Sequence, residues 1–454
     1  MKSLLRSRHE APSGRRLGRT SLLVLLLAAF CLPAPARQSG PSAPAAANPA
    51  PPAARTYKFV NGQWFDGKGF KPKTFYSVGG LLTEKGPRQT DEVVDLAGGF
   101  VVPPFGDAHN HNIEKEYNLA NQIRAYLRDG IYYVKIPNSI QQFSSQIADR
   151  LNHPASIDVV FANGGLTSSG GHPVRLYEDI LSQNAYRGVA KGWFDNRAYF
   201  IIDSEADLRN KWPQIVAARP GFIKTYLLYS DEFEKRRADQ TYYGRRGLDP
   251  RLLPLIVARA HQSGLRVTTH VETVADFRTA LVAGVDEINH LPAHYLPTTQ
   301  PAERFRLSEE DAREAARRGV VVVTTTMVGK LREKDPARLK ALYEAQTYNL
   351  RLLRKHGVPL AVGTDNYALT SLSEAMNLHE MKAFDNLTLL KLWCETTARA
   401  IFPERKIGHL KKGYEASFLV LGGNPVENFE HVKAIRLRFK QGHPLAVEEA
   451  STTR

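Results

Sequence analysis

The chain has 454 residues, of which 43% are hydrophobic and 24% are charged. This composition is typical of a globular protein and argues against a disordered or fibrous one, and the length allows roughly two or three domains, or one large barrel with an appendage. The net charge of +15 favours anionic partners, acidic substrates or an envelope surface, but no basic stripe with interleaved aromatic residues indicates a nucleic-acid partner.

The N-terminus has the pattern of an export signal. A basic stretch precedes the apolar run Leu22–Leu32, which is shorter than the about 20 residues that a membrane-spanning helix needs. Ala34-Pro35-Ala36 then supplies a small-residue cleavage pattern. We therefore predict a signal peptide over residues 1–36 and an exported, periplasmic or secreted protein without a stable membrane span. An uncleaved anchor is the alternative, and envelope association is left open.

Residues 37–55 are rich in Pro, Ala and Ser, and we predict that they form a flexible tether. Cleavage after residue 36 would remove Cys31 and leave Cys394 as the one remaining cysteine, which excludes an internal disulfide. Because Cys394 lies on an apolar helical pattern, we expect it to belong to the packed core and not to act as a nucleophile.

Short β-like runs separated by glycine turns begin at Tyr57, and the same pattern returns near the C-terminus. The runs are 57–60, 74–78, 93–96, 101–102, 417–421 and 434–439. Neither chain end supplies enough strands for a stable domain by itself. We therefore predict that residues 56–103 and 404–445 pair into one small composite β-sandwich domain.

Between the two ends, apolar β-branched runs alternate with helical segments. The runs are 131–136, 157–161, 222–228, 265–269, 285–288, 320–325 and 360–362. Four of the helices have predicted N-caps, at Ser204, Asp249, Ser308 and Asp335. Adding the strand that precedes His109 gives eight β/α repeats, so residues 104–403 are predicted to form a (β/α)8 TIM barrel. A doubly wound open sheet is the alternative fold.

In such a barrel, the C-terminal ends of all strands meet at one mouth, so the residues that end the strands can share a site. The candidates are His109, His111, Lys224, His270, His290 and Asp365. Singly, each has an ordinary structural interpretation: a histidine satisfied in the core, a carboxylate that caps a turn, or a buried lysine in an ion pair. The H-x-H pair can present two imidazoles to one ion, because alternate residues of a strand point the same way.

The order H-x-H, Lys, His, His, Asp, at strands one, four, five, six and eight, resembles the amidohydrolase superfamily, in particular its imidazolonepropionase-like and prolidase-like members. The resemblance covers residues 56–445 and includes 94–99, 270–273, 363–365 and 408–413. Two stretches depart from the family pattern: Pro103-Pro104 stands for the usual Pro-Gly, and 416–418 for the usual Ala-Asp-Leu. Neither is at a ligand position.

The resemblance implies a hydrolase that uses one or two divalent metal ions, and zinc suits imidazole and carboxylate ligands. By resemblance, the H-x-H pair and Asp365 hold the more buried ion, and His270 and His290 hold the more exposed one. Lys224, carboxylated by carbon dioxide, would bridge the two. Asp365 is the implied general base. If only one ion binds, Lys224 need not be modified and His290 polarises the substrate carbonyl.

Substrate specificity is expected from loops around the mouth. His172 ends a glycine-rich segment after strand three, and Tyr226 and Tyr229 lie beyond Lys224 on strand four; we name these three as candidate substrate-binding residues. An exposed histidine and buried barrel packing of Tyr226 are the structural alternatives. The loop 230–247 is long for a connection of this kind and is predicted to be a lid or substrate loop.

The predicted activity is hydrolysis of a C–N bond in a small peptide-like or cyclic amide, with carboxy-terminal dipeptides as one option. An esterase or lactonase on the same metal site is the first alternative. A metal-free periplasmic binding or scaffold protein is the alternative of a different class. The expected partner is a small-molecule substrate, and a homo-oligomer is left open.

Overall fold

The computed structural model of the protein describes residues 55–447, apart from residues 183–185, 187, 295, 298 and 299. The predicted signal peptide, residues 1–36, and the predicted tether up to residue 54 therefore lie outside the described residues. Within the described part of the chain, no helix is long and apolar enough to cross a bilayer.

Five strands open the described chain, and their side chains alternate between buried and exposed positions where one face meets the core. They are β1 (Tyr57–Phe65), β2 (Phe70–Val78), β3 (Leu81–Thr83), β4 (Glu92–Asp95) and β5 (Phe100–Val102). The first strand is longer than predicted, because a bulge between Phe59 and Gly62 lets it change partners and continue. Its first half pairs with β4 and its second half with β5.

Parallel strands make up the centre of the molecule, and each predicted apolar run contains one. They are β6 (Phe105–Asp107), β7 (Ile131–Ile136), β8 (Asp158–Phe161), β9 (Gly165–Thr167), β10 (Tyr199–Ile201), β11 (Ile223–Tyr226), β12 (Val267–His270), β13 (Glu287–Asn289), β14 (Val321–Val323) and β15 (Leu360–Ala361). β7 is buried at every position, as expected for a parallel strand covered on both faces.

Helices alternate with these strands. They are α1 (Leu119–Arg128), α2 (Gln141–Gln146), α3 (Val174–Ser182), α4 (Glu205–Ala217), α5 (Phe233–Ala238), α6 (Leu253–Gln262), α7 (Val274–Ala283), α8 (Glu309–Arg318), α9 (Thr326–Arg332), α10 (Pro336–Lys355), α11 (Ser371–Glu380), α12 (Asn386–Lys391) and α13 (Thr397–Ile401). The predicted caps Ser204, Ser308 and Asp335 accept hydrogen bonds from backbone amides of the first turns of their helices. The helix predicted to start at Asp249 begins at Leu253, and the Asp249 carboxylate accepts from the backbone N–H of Arg251 in the turn that precedes it.

The third barrel strand is broken, which the sequence pattern did not predict. β8 pairs with β7, whereas β9 continues after a break and pairs with β11. Asn163 and Gly164 bend the chain there, with φ of 53° and 103°. β10 pairs with the outer side of β9. The predicted glycine-rich loop after strand three therefore contains a strand of its own.

The parallel strands form two sheets, β6-β7-β8 and β10-β9-β11-β12-β13-β14-β15. Backbone hydrogen bonds join the two sheets at two places, one between the end of β8 and the residues before β11 and one between the residues after β6 and after β15. Gly221 N donates to Phe161 O at 2.8 Å, and Ala108 N donates to Val362 O at 2.9 Å. An α/β fold with this strand order fits a TIM-barrel-like domain.

Strands from both chain ends share a second sheet. The C-terminal strands are β16 (Phe418–Leu421), β17 (Ile435–Lys440) and β18 (His443–Pro444). β16 pairs with β5, which gives the order β18-β17-β16-β5-β1-β2-β3, with β4 also on β1. Rings of Phe59, Trp64, Phe75 and Phe418 pack at its centre. Strands from the two ends therefore share one sheet, while the composite domain, its two-layer sandwich form and its bounds stay predictions.

A buried ion network connects the terminal sheet to the barrel strands. Lys440 of β17 has a fully buried side chain, and its Nζ lies 2.6 Å from Asp158 Oδ1 on β8. The other oxygen of Asp158 lies 2.8 Å from Arg405, which in turn lies 2.7 Å from Glu415. Removing one partner of such a buried pair leaves an uncompensated charge, which is strongly destabilising.

We expect Lys440→Met to lower the free energy of unfolding by about 3 kcal/mol, because Asp158 keeps the half-buried Arg405 but loses its one fully buried cationic partner among the described residues. Urea denaturation followed by circular dichroism measures this change. Lys433→Met is the matched control, since Lys433 pairs with Glu430 at the exposed surface and such pairs contribute less than about 1 kcal/mol. Equal midpoints for the two variants would contradict a stabilising role for the network.

Candidate metal centre

The residues that end the parallel strands line one cavity of about 540 Å³. Among its lining residues are His109, His111, Lys224, His270, His290 and Asp365. Lys224 lies within β11 and His270 ends β12, whereas the others follow β6, β13 and β15 within one to four residues. Parallel strands end on one side of the sheet, so residues far apart in sequence meet there. All six predicted ligands therefore share a single cavity.

The Asp365 carboxylate is the centre of this cluster. On its Oδ1 side lie His111 Nε2 at 3.2 Å and His109 Nε2 at 3.5 Å. On its Oδ2 side lie His294 Nε2 at 3.8 Å and His290 Nδ1 at 3.9 Å. One carboxylate thus faces four imidazoles, which is a donor set suited to zinc or a similar divalent ion.

The tightest group in the cluster consists of His109, His290 and Asp365, whose ligand atoms all lie within 4.8 Å of one another. This group differs from the division expected by resemblance, in which His290 belongs with His270. His111 contacts two carboxylates: its Nε2 lies 3.2 Å from Asp365 Oδ1, and its Nδ1 lies 3.3 Å from Glu114 Oε1. The geometry therefore brings the predicted ligands together but does not separate them into the two expected sets.

Burial sets the charge of the imidazoles. It lowers the pKa of His109 and the pKa of His270 to about 3, and it lowers the pKa of His290 well below its usual range. These rings are therefore neutral at neutral pH, which is the form that binds a metal. The buried Nδ1 of His109 has no hydrogen-bond partner among the described residues, so the ring has a nitrogen that an ion could satisfy.

The carboxylate and the outer imidazole behave differently. Burial would raise the pKa of Asp365, but the facing imidazoles of His109 and His111 lower it well below its usual range. Burial would lower the pKa of His111, but hydrogen bonds to Asp365 and Glu114 raise it to about 9. Asp365 is therefore a carboxylate at neutral pH.

Lys224 is almost fully buried on β11 and has no ion pair with any described carboxylate. Its Nζ lies 2.5 Å from Asn289 Oδ1, and burial lowers its pKa to about 7. The other buried barrel lysine, Lys135, forms the ordinary alternative, an ion pair with Glu287 at 2.8 Å. The ion-pair interpretation thus holds for Lys135 but finds no partner for Lys224.

Two cavity residues, and Thr325 beside them, have a backbone conformation that is costly for a residue with a side chain. φ is 73° at His290, 53° at Asp365 and 148° at Thr325. Such conformations cost about 1–3 kcal/mol each and cluster at functional sites. The backbone N–H of Asp365 donates to His109 O at 2.7 Å, which ties the end of β15 to the H-x-H pair.

Asn110, the middle residue of the H-x-H pair, does not line the cavity, and its side chain bonds to the segments beneath the pair. Its Nδ2 donates to Tyr126 Oη at 2.7 Å, to Leu369 O at 2.8 Å and to Asp107 Oδ2 at 3.0 Å. Its Oδ1 accepts from Asn366 N at 2.8 Å. The side chain thereby connects the first strand to the segment that follows Asp365.

Two of the three predicted substrate-binding residues line the cavity. The His172 ring stacks on His270 at 5.3 Å between centroids and lies 5.2 Å from the Tyr226 ring. Tyr229 does not line it: its ring packs against the Arg236 guanidinium at 3.5 Å. Tyr229 thus lies outside the cavity lining, and its contact with substrate stays a prediction.

The predicted lid loop reaches the cavity through Gly244 and Arg245, and not through Tyr242. It includes α5, which the sequence pattern did not predict. Arg175 and Arg332 stand with Arg245 among the exposed residues that line the cavity. Cys394 is fully buried, in agreement with the predicted core position.

The sequence reasoning missed His294, which lines the cavity and is 4% exposed. Its ring lies 4.3 Å from that of His290. The available signal was its spacing, four residues after a predicted ligand and in the loop that follows a strand end. Thr325, which contacts both rings, carries no comparable signal, because threonine is common at strand ends.

Sequence comparison finds matches for part of the chain. Residues 238–438 match the model of the Amidohydrolase family. An ochratoxinase of Aspergillus niger is 27% identical over 202 residues. That alignment spans 42% of this chain and 40% of the ochratoxinase, which is less than half of that relative's length.

Solved structures share the fold over most of this chain. The structure of A. niger ochratoxinase matches with a TM-score of 0.66 at 18% identity, over 86% of this chain and 96% of that chain. Molinate hydrolase matches with a TM-score of 0.66 at 14% identity, over 87% and 95%. A prolidase complexed with N-methylphosphonate-L-proline matches with a TM-score of 0.64 at 16% identity, over 87% and 100%. These likenesses are of fold.

Asn110→Ala should lower the free energy of unfolding by about 2 kcal/mol, because it leaves buried polar partners unsatisfied. Chemical denaturation measures the loss. Asn121→Ala is the matched control: Asn121 is exposed on α1 and contacts its neighbour Asn118, so its change should stay within about 0.5 kcal/mol. If Asn110→Ala lost no more free energy of unfolding than Asn121→Ala, the hydrogen bonds of the Asn110 amide would not stabilise the fold.

Proposed function

We propose that the chain is a metal-dependent hydrolase of the amidohydrolase superfamily, since residues 238–438 match the Amidohydrolase family model. The bond it cleaves is a C–N bond in a small amide, peptide-like or cyclic. One observation carries the proposal: the ends of separate parallel strands present imidazoles to a single carboxylate, that of Asp365, inside one cavity. Packing alone gives no reason to bury so many polar rings together.

The proposed scaffold is a closed (β/α)8 barrel. The hydrogen bonds from Gly221 to Phe161 and from Ala108 to Val362 support closure at these two places. In a closed barrel the strand ends form a ring, and the first and last strands are neighbours. That arrangement accounts for the contact of Asp365, after β15, with the H-x-H pair after β6.

The residues that would hold one or two divalent ions, zinc being the favoured one, are His109, His111, Lys224, His270, His290 and Asp365. The neutral imidazoles and the unpartnered nitrogen of His109 fit this role. When bound, such ions lower the pKa of a water to near 7 and polarise a carbonyl. With two ions, Lys224 would bridge them as a carboxylated lysine. Its burial and its lack of an acidic partner support that modification, and an amine with a lowered pKa is more readily carboxylated.

Asp365 is the proposed general base. Its carboxylate stays ionised and lies next to the rings that line the cavity, so it can take the proton of the attacking water. The water oxygen bonds to the carbonyl carbon, the C–N bond breaks, and Asp365 returns the proton to the leaving nitrogen. His290 faces the same carboxylate and is placed to polarise the carbonyl in a site with one ion.

Three exposed arginines at the mouth, Arg175, Arg245 and Arg332, favour a substrate that carries a carboxylate. His172 and Tyr226 supply flat contacts deeper in the cavity. A dipeptide or an acyl-amino acid combines a C–N bond with such a carboxylate.

Location and assembly are also proposals. The basic and apolar pattern of residues 1–36 supports export and cleavage, which would place the enzyme in the periplasm or outside the cell. A homo-oligomer remains open. N-terminal sequencing of the mature protein and its mass in solution would decide these points.

We expect the purified protein to hold zinc and to hydrolyse dipeptides or acyl-amino acids, and a chelator to abolish that hydrolysis. A screen of dipeptides, acyl-amino acids, lactams and lactones, with metal analysis before and after chelation, provides the measurement. Near two equivalents in the native protein and fewer in Lys224→Met would support the bridged pair. Chelator-insensitive turnover would overturn the mechanism, and a protein that binds no metal would favour a scaffold.

Asp365→Asn should lower turnover by about 100-fold or more, because the amide cannot accept the proton of the water. The substitution is nearly isosteric, so the fold and part of the metal content should remain. Turnover and metal content are measured on the same sample. Full metal content together with full turnover would rule out Asp365 as the base.

A further inference from the structure

We propose that Thr325 sets the tautomers of two cavity histidines in opposite senses. His290 then presents an unprotonated Nε2, and His294 presents an Nε2–H that binds the carbonyl oxygen of the substrate. The inference rests on the proposed function, because it takes His290 as a metal ligand through Nε2. It makes Thr325 a positioning residue and His294 a further substrate-binding residue.

The Thr325 hydroxyl lies between the two rings. Its Oγ1 is 2.7 Å from His290 Nδ1 and 3.3 Å from His294 Nδ1. Thr325 is 2% exposed, and Oγ1 has no other hydrogen-bond partner in the described part of the chain. Both rings are buried, so water does not replace these contacts.

The number of protons decides the arrangement. A hydroxyl has one proton to donate and lone pairs to accept with, and a neutral imidazole carries one N–H. A metal ligand bound through Nε2 carries its proton on Nδ1, so His290 Nδ1–H donates to Thr325. The hydroxyl proton then has one acceptor left, His294 Nδ1. His294 must therefore carry its own proton on Nε2.

The position of Thr325 is fixed by a buried carboxylate. Glu374, which is fully buried on α11, accepts from the backbone amides of Thr325, Thr326 and Met327 at 3.0, 2.8 and 2.7 Å. These three bonds hold the turn into α9, including the left-handed φ of 148° at Thr325. The hydroxyl is thus held where both rings reach it.

The loop that carries His294 is held from the other side. Gln346 Nε2 donates to Ala293 O at 3.0 Å, and Asn349 Nδ2 donates to Pro292 O at 2.9 Å. Both side chains come from α10 and are almost fully buried. Ala293 has a φ of 76°, a conformation that these two bonds maintain. His294 is therefore presented by a rigid loop, although it lies five residues past the end of β13.

The Nε2–H of His294 lies next to the carboxylate of Asp365, the proposed base. Its Nε2 lies 3.8 Å from Asp365 Oδ2, beside the proposed base. A neutral N–H donor in a buried cavity stabilises negative charge that develops on a carbonyl oxygen during attack by water. His290 and His294 thus differ in function although they are neighbours in sequence and contact the same hydroxyl.

The first test compares Thr325→Val, which removes the hydroxyl at nearly constant shape, with Thr325→Ser, which keeps it. Zinc affinity is measured by competition with a chromophoric chelator, next to turnover. We expect Thr325→Val to weaken zinc binding about 10–100-fold, as loss of a residue that orients a ligand does, and Thr325→Ser to stay near wild type. Thr347→Val, the same change on the outer part of α10, is the control. Unchanged zinc affinity in Thr325→Val would overturn the proposal.

The second test uses His294, so that the outcome does not depend on the folding of one variant. His294→Phe should keep the full metal content and lose about 100-fold in turnover, as expected for removal of one donor to the carbonyl oxygen; His294→Gln, which keeps an N–H, should recover part of it. Loss of a metal equivalent in His294→Phe would identify His294 as a ligand and overturn the proposal.

Histidine tautomers can be read directly from ¹⁵N shifts of the zinc-loaded, histidine-labelled protein. The expected pattern is an Nε2–H at His294 and a protonated Nδ1 at His290. A protonated Nδ1 at His294 would contradict the arrangement. Failure of the proposed function has a different signature, since the wild-type protein would then bind no zinc at all.

Discussion

Burial of the Asp365 carboxylate among imidazoles is the interaction on which the rest of the site depends. A carboxylate without a cation is costly to bury, and so is a polar ring without a partner. Here four imidazoles approach the two carboxylate oxygens, and most of these rings are held neutral by burial. Without an ion, His111 supplies the positive charge, since contacts with Asp365 and Glu114 raise its pKa to about 9, and a divalent ion would take over that role. The strained backbone at His290 and at Asp365 itself has a reason on this account, because it aims both side chains inward.

The ends of the parallel strands were predictable, because apolar β-branched runs and capping residues are local signals. His109, Lys224 and Asp365 could be placed at one mouth, since parallel strands end together. The broken third strand was not predictable, because its second half is short and contains Gly165. The position of Tyr229 outside the cavity lining was not predictable either, because a φ of 55° turns the chain at that residue and periodicity does not show such a turn.

His294 and Thr325 show where sequence reasoning ends. Each is a common residue in an unremarkable local pattern, and their contact depends on two loops that meet only in the folded chain. Sequence similarity to the family extends over residues 238–438, which include both residues but exclude the H-x-H pair and Lys224. That all the predicted ligands meet in one cavity therefore became visible only in the fold. The terminal sheet supports that fold, because Lys440 of β17 pairs with Asp158 of β8.

The most direct test of the account is anomalous diffraction from zinc-soaked crystals, with data collected on both sides of the zinc absorption edge. The account predicts an anomalous peak in the cavity, within coordination distance of His109, His290 and the Asp365 carboxylate, and a second peak near His270 if Lys224 is carboxylated. Anomalous peaks on the surface alone, with none beside Asp365, would contradict it.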